Sequence, residues 1–110
     1  VWSGALATAG GLVFYGTMDG RFKALDAADG TLRWQADAGS GIVGQPISYR
    51  GADGRQYIAI LSGVGGWAGA VSAGELDRRD GTAALGFVNA MKDLPGNGTT
   101  SGRLHVYALP

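Results

Sequence analysis

A chain with no cysteine and a single histidine has few ways to carry out chemistry with its own side chains. His105 lies between Leu104 and Val106 in an alternating run, with no second histidine, thiol or motif serine to complete a set, so a structural role is expected. Glu75, Asp77 and Asp80 could ligate a hard cation, but Arg78 and Arg79 sit among them and the run reads as a solvated loop. The stretch from Gly39 to Gly44 spells GxGxxG, whose chemistry is to lay a pyrophosphate on a helix N-terminus. The residues after it, Gln45-Pro46-Ile47-Ser48-Tyr49, read as a strand, so no nucleotide site is expected. The most informative group is Trp67, with glycines at 63, 65, 66 and 69 around it. Glycines let backbone approach a planar ligand closely, and an indole supplies an apolar wall that excludes water.

The elements that position these residues are short strands. Twenty-one glycines in 110 residues, 16% charged and 45% hydrophobic, suit tight turns between strands better than a helical bundle or a disordered tail. Residues 11–17, 21–26 and 31–37 carry strand patterns separated by Met18-Asp19-Gly20 and Ala28-Asp29-Gly30, two turn signals that supply positive φ. They make a three-strand meander, with residues 5–9 as a fourth strand before it. The pattern restarts with strands at 45–50 and 56–62 around the turn cluster 51–54, and ends with a strand at 103–109. Residues 63–102 form an insertion much longer than a hairpin loop, and such insertions commonly carry function. Within it, the apolar run 82–93, closed by Pro95 and Gly96, predicts a short helix.

The turn at 24–34 carries a more specific signal: Ala24, Asp26, Asp29, Gly30 and the closing Trp34. This segment resembles the tryptophan-docking motif of the pyrroloquinoline quinone (PQQ)-dependent alcohol dehydrogenases, in which it recurs once per propeller blade; Asp29 replaces the usual threonine. Residues 1–17 and the run Leu61-Ser62-Gly63-Val64-Gly65-Gly66-Trp67 are similar to further segments of that family. Residues 82–95 resemble its methanol dehydrogenase-like members, the lanthanide-dependent type included. The resemblance implies an all-β fold: the last blades of an eight-bladed propeller, with a long loop containing a short helix. Residues 1–38 would form about one blade and 39–110 most of the next, the 63–102 insertion lying within the second. A parent N-terminal strand would close the ring.

By position, the resemblance implies that Trp2 hydrogen-bonds the quinone rim, that Gly66 and Trp67 border cofactor and substrate, and that Leu85 helps roof the substrate cavity. Ala24, Asp26, Gly30 and Trp34 form the docking motif. It further implies a periplasmic enzyme that oxidises methanol or other short primary alcohols. A Ca²⁺ or lanthanide ion acts as Lewis acid on the quinone, an aspartate takes the alcohol proton, hydride passes to PQQ, and cytochrome c accepts the electrons. No residue here matches the metal ligands or the catalytic base, so catalytic and metal residues are expected outside this segment. The chain opens at Val1 without a leader and reads as a segment of a longer protein, inactive without the rest of the propeller. Zero formal charge suggests neither nucleic acid nor an anionic membrane surface as partner, and no apolar run reaches the roughly 20 residues that span a bilayer. The sequon Asn97-Gly98-Thr99 carries no meaning in a bacterial protein, the source the family suggests. A non-catalytic propeller scaffold would share the docking motif but has no use for the Gly63–Gly69 loop, and a free-standing ligand-binding β-domain would have to fold from these residues alone.

Overall fold

A computed structural model describes residues 2–73, 76, 77, 79–93 and 101–109. Glu75, the Pro95-Gly96 stop and the Asn97-Gly98-Thr99 sequon lie outside the described residues. Two antiparallel sheets carry the fold. The first runs in chain order, β1 (Ala5–Ala7), β2 (Leu12–Gly16), β3 (Arg21–Asp26) and β4 (Leu32–Asp37). The second is β5 (Ile47–Arg50), β6 (Gln56–Ser62) and β7 (Arg103–Ala108). The expected strands are all present, with β1, β2 and β5 shorter than the sequence patterns at 5–9, 11–17 and 45–50. The turns follow from the Asp-Gly pairs, since Gly20 and Gly30 hold φ of +82° and +74°, where a side chain would be strained. The GxGxxG stretch leads directly into β5 with Ile42 fully buried, so it serves the core and has no helix to hold a phosphate.

Strand alternation decides which faces meet. Phe14, Phe22 and Ala24 of the first sheet pack with Ala38 and Ile42 of the connection against Ile58 and Ile60 of the second. The alternate residues of each strand point to the opposite face. In the second sheet these include Ile47, Leu61, Leu104 and Val106, and Leu61 stands directly opposite Leu104 with the two 58% and 62% exposed. The radius of gyration, 15.4 Å, exceeds the roughly 13 Å of a compact domain this long, and the shortest dimension is 18 Å. The molecule is therefore a two-sheet slab with one apolar outer face.

The insertion departs from expectation in two places. The glycine-rich run at 63–69 is not all loop: α1 (Gly66–Ala73) starts within it. Ala68, Ala70, Val71 and Ala73 supply enough helix-compatible residues once the turn is formed. Gly69 is required there, because a Cβ would lie 2.5 Å from the Val64 carbonyl oxygen. In the 82–93 run, the short helix is a distorted 3₁₀ turn (Ala83–Gly86) running into the single α-helical turn α2 (Phe87–Ala90). Ala84, Leu85 and Gly86 before it have φ of +50°, +58° and +84°, a left-handed turn that costs about 1–2 kcal/mol per non-glycine residue. No described helix is long and apolar enough to cross a membrane.

Candidate functional site

Three aromatic rings meet where β2 and β6 end. Trp2 precedes β1, and its segment is fastened by Ser3, whose Oγ accepts the Gly16 N–H at 2.8 Å and donates to the Gly16 carbonyl at 3.0 Å. Trp67 is the second residue of α1, which opens at Gly66. The two indoles stack with centroids 5.9 Å apart and planes 18° from parallel. Phe87 meets both with its ring turned away from theirs, at 4.9 Å and 78° from Trp2 and 5.3 Å and 61° from Trp67. Phe87 is buried with Met18, Val64 and Ala68, whereas Trp2 and Trp67 are 48% and 50% exposed. Nothing lies within 4 Å of where a Gly66 Cβ would sit. The result is an aromatic wall, half exposed at the two indoles and anchored by the buried Phe87, that can border a planar ligand.

Of the residues singled out in the sequence, Trp2, Gly66 and Trp67 thus come together. Leu85 does not join them: it is 96% exposed at the crest of the left-handed turn. Phe87 and Met18 were not expected at the site. The alternation of 82–93 shows only that Phe87 is apolar, and the contact with Met18 joins the insertion to the β2–β3 turn across a long sequence separation.

Ala24, Asp26, Gly30 and Trp34 assemble separately, at the β3–β4 turn. Ala24 pairs directly with Trp34, and the register slips between Ala24 and Leu25. Asp26 Oδ2 accepts Arg33 Nη2 at 2.6 Å and Nε at 3.1 Å, while its Oδ1 accepts the Ala28 N–H at 2.8 Å. The Arg33 guanidinium and then that N–H hold the Asp26 carboxyl below its ordinary 3.8. Asp29 accepts the Thr31 N–H at 2.9 Å. Trp34 meets Phe22 of its own sheet at 6.0 Å and Tyr107 of the other at 4.9 Å.

A polar tie also joins the sheets. The buried Ser62 hydroxyl donates to the Ala38 carbonyl at 3.0 Å and lies 2.9 Å from His105 Nε2. Its one proton being committed to Ala38, Ser62 accepts from Nε2, which fixes the protonated nitrogen and gives His105 a structural partner. A cleft of about 380 Å³ lies beside this tie, lined by Ala38, Gly39, Ser40, Ser62 and residues 101–103, and shares no residue with the aromatic wall. Asp77 bonds Arg79 and Asp80 bonds Thr82. Among the described residues no group of three histidine, cysteine, aspartate or glutamate side chains is placed to hold a metal ion.

Residues 1–58 match the family model of the PQQ glucose/ethanol/alcohol dehydrogenase β-propeller domain. The chain belongs to the PQQ-dependent dehydrogenase family. Within this family it is 51% identical over 111 residues to a lanthanide-dependent methanol dehydrogenase of Methylacidiphilum fumariolicum (strain SolV), an alignment covering 99% of this chain and 18% of the relative. It is 47% identical over 109 residues to methanol dehydrogenase (cytochrome c) subunit 1 of Paracoccus denitrificans, covering 99% and 17%. Among solved structures it superimposes on a europium-containing methanol dehydrogenase with a TM-score of 0.82 at 52% identity, covering 99% of this chain and 19% of the other. The PQQ dehydrogenase chain therefore spans less than a fifth of the relatives it matches, and its two sheets are part of a β-propeller.

Proposed function

We propose that this chain forms the last blades of a PQQ-dependent dehydrogenase that oxidises methanol or other short primary alcohols, and that it supplies part of the quinone and substrate walls. The observation that carries the reading is the stacked Trp2–Trp67 pair, half exposed beside the open space at Gly66. A planar, polycyclic quinone fits such a wall. Trp2, Gly66 and Trp67 are the residues that would border it, with Leu85 roofing the substrate cavity once further chain covers its exposed side. When bound, PQQ supplies a two-electron acceptor for the alcohol's hydride, with a Ca²⁺ or lanthanide ion as Lewis acid. The work of this chain's own residues is to exclude water from one side and to orient the ring. Catalytic base and metal ligands are assigned to the rest of the protein. Residues 1–38 are read as one blade and 39–110 as most of the next, with Ala24, Asp26, Gly30 and Trp34 as the docking motif between them. The names of the relatives support cytochrome c as electron acceptor, and the periplasm is the compartment in which that exchange is expected.

The test compares the full-length protein with the 110-residue chain for PQQ binding and alcohol-dependent dye reduction, with Ca²⁺ or La³⁺ supplied. Activity in the full-length protein alone supports the reading. A well-folded full-length protein that binds no quinone sinks it and favours a non-catalytic propeller scaffold.

A further inference from the structure

We propose that Phe87 is a positioning residue: its ring is the wedge that sets Trp2 and Trp67 nearly parallel and so fixes the wall they present. This rests on reading that wall as one side of a quinone pocket, and it assigns a role to a residue that is itself buried behind the wall.

Trp2 and Trp67 reach one another from segments beside the ends of β2 and β6, and each leaves about half its surface exposed. Two stacked indoles attract through dispersion, which leaves them free to slide and tilt. Edge-to-face contacts are directional, because the positive rim of one ring seeks the negative face of another. Phe87 makes steeply inclined contacts with both indoles, at 78° and 61°. A single ring inclined to both partners restrains their mutual angle, which is 18°. Phe87 can do this because it is itself fixed. It packs with Met18, Val64 and Ala68, so it is tied to the β2–β3 turn and to α1 at once. The left-handed turn of Ala84, Leu85 and Gly86 delivers it to the first position of α2, directly behind the indoles. Strain in the chain just before a ligand wall is consistent with a residue whose placement matters.

The experiment uses the full-length holoenzyme and reads PQQ release. Phe87→Leu, which keeps the site apolar and filled, is expected to release PQQ about tenfold faster, and Phe87→Tyr to restore retention. The deciding arm repeats Phe87→Leu in a Trp67→Ala background. If Phe87 acts through the indoles its effect there falls to about twofold or less, whereas a merely structural ring gives the same loss in both backgrounds and overturns the proposal. Unchanged release in the single Phe87→Leu variant overturns it too. Phe87→Met, another buried apolar residue, takes the same measurements if the leucine variant does not fold. Should the unaltered protein bind no PQQ, the functional reading fails and the wedge is judged by the crystal structure of Phe87→Leu. Indoles turned away from their present angle support it, and an unmoved pair overturns it.

Discussion

Trp34 and Tyr107 meet edge to face at 4.9 Å, and this contact joins the outermost strand of the first sheet to the last strand of the second. Phe22 closes the group, 6.0 Å from Trp34 and 5.8 Å from Tyr107. Partial burial raises the Tyr107 phenol above its ordinary 10.0, as expected of a ring packed between sheets.

Trp34→Ala removes this joint. The indole is partly exposed, so the expected loss is about 2–3 kcal/mol, short of a fully buried aromatic truncation. Trp34→Phe keeps an edge for Tyr107 and costs about half as much. Urea unfolding of the full-length protein measures both, and equal midpoints for Trp34→Ala and the unaltered protein would remove the docking role.

The Asp26–Arg33 pair has a pH signature. The folded Asp26 carboxyl lies below 3.8, so its contribution is fully present above that ordinary value and is lost as pH falls through the lower folded one. The pair is solvent-exposed, and its contribution is small. Asp26→Asn is therefore slightly less stable than the parent at neutral pH, and the two melting curves converge as pH falls through the lowered folded value of Asp26. A constant difference across the titration would show that the turn depends on the side-chain cap to Ala28 and not on the charge.

The β3–β4 turn and the hairpins were legible because short-range chemistry dictates them. Asp19-Gly20 and Asp29-Gly30 announce reversals, and β3 and β6 begin and end where alternation places them. The insertion was less legible. Glycines at 65, 66 and 69 mask α1, although Gly69 is present to let the helix approach Val64. The left-handed hand of Ala84 and Leu85 has no sequence signal, since neither residue prefers it. Trp2, Gly66 and Trp67 were singled out through glycine clustering and family resemblance. Phe87 was not, because its partners Met18, Trp2 and Trp67 are brought to it only by the tertiary fold.

Ser62 offers a test of the polar tie. Ser62→Ala leaves the Ala38 carbonyl and His105 Nε2 without this partner, and leaving buried polar groups unsatisfied costs about 1–3 kcal/mol. His105→Asn, able to donate from a shorter amide, recovers part of what His105→Ala loses. Denaturant midpoints for the three variants check this, and a neutral Ser62→Ala would mean that water replaces the hydroxyl.

The outer face of the second sheet predicts how the 110-residue chain behaves alone. Leu61 and Leu104 stand opposite one another and Ala59 opposite Val106, with Ile47 paired to Ala59 on the next strand. These side chains form a continuous apolar strip, and β5 and β7 are both sheet edges whose outward backbone groups have no neighbouring strand in this sheet. In a propeller an adjoining blade covers such a face and another strand pairs with such an edge. The isolated chain is therefore expected to self-associate with rising concentration in sedimentation velocity, and to show no turnover. Leu61→Lys with Leu104→Glu places opposite charges on that face and should shift the isolated chain toward monomer. The same pair of changes in the full-length protein should destabilise it by several kcal/mol, since the strip is then a buried interface. If the double variant leaves the full-length protein unaffected, the face is exposed to solvent there and the blade assignment is wrong.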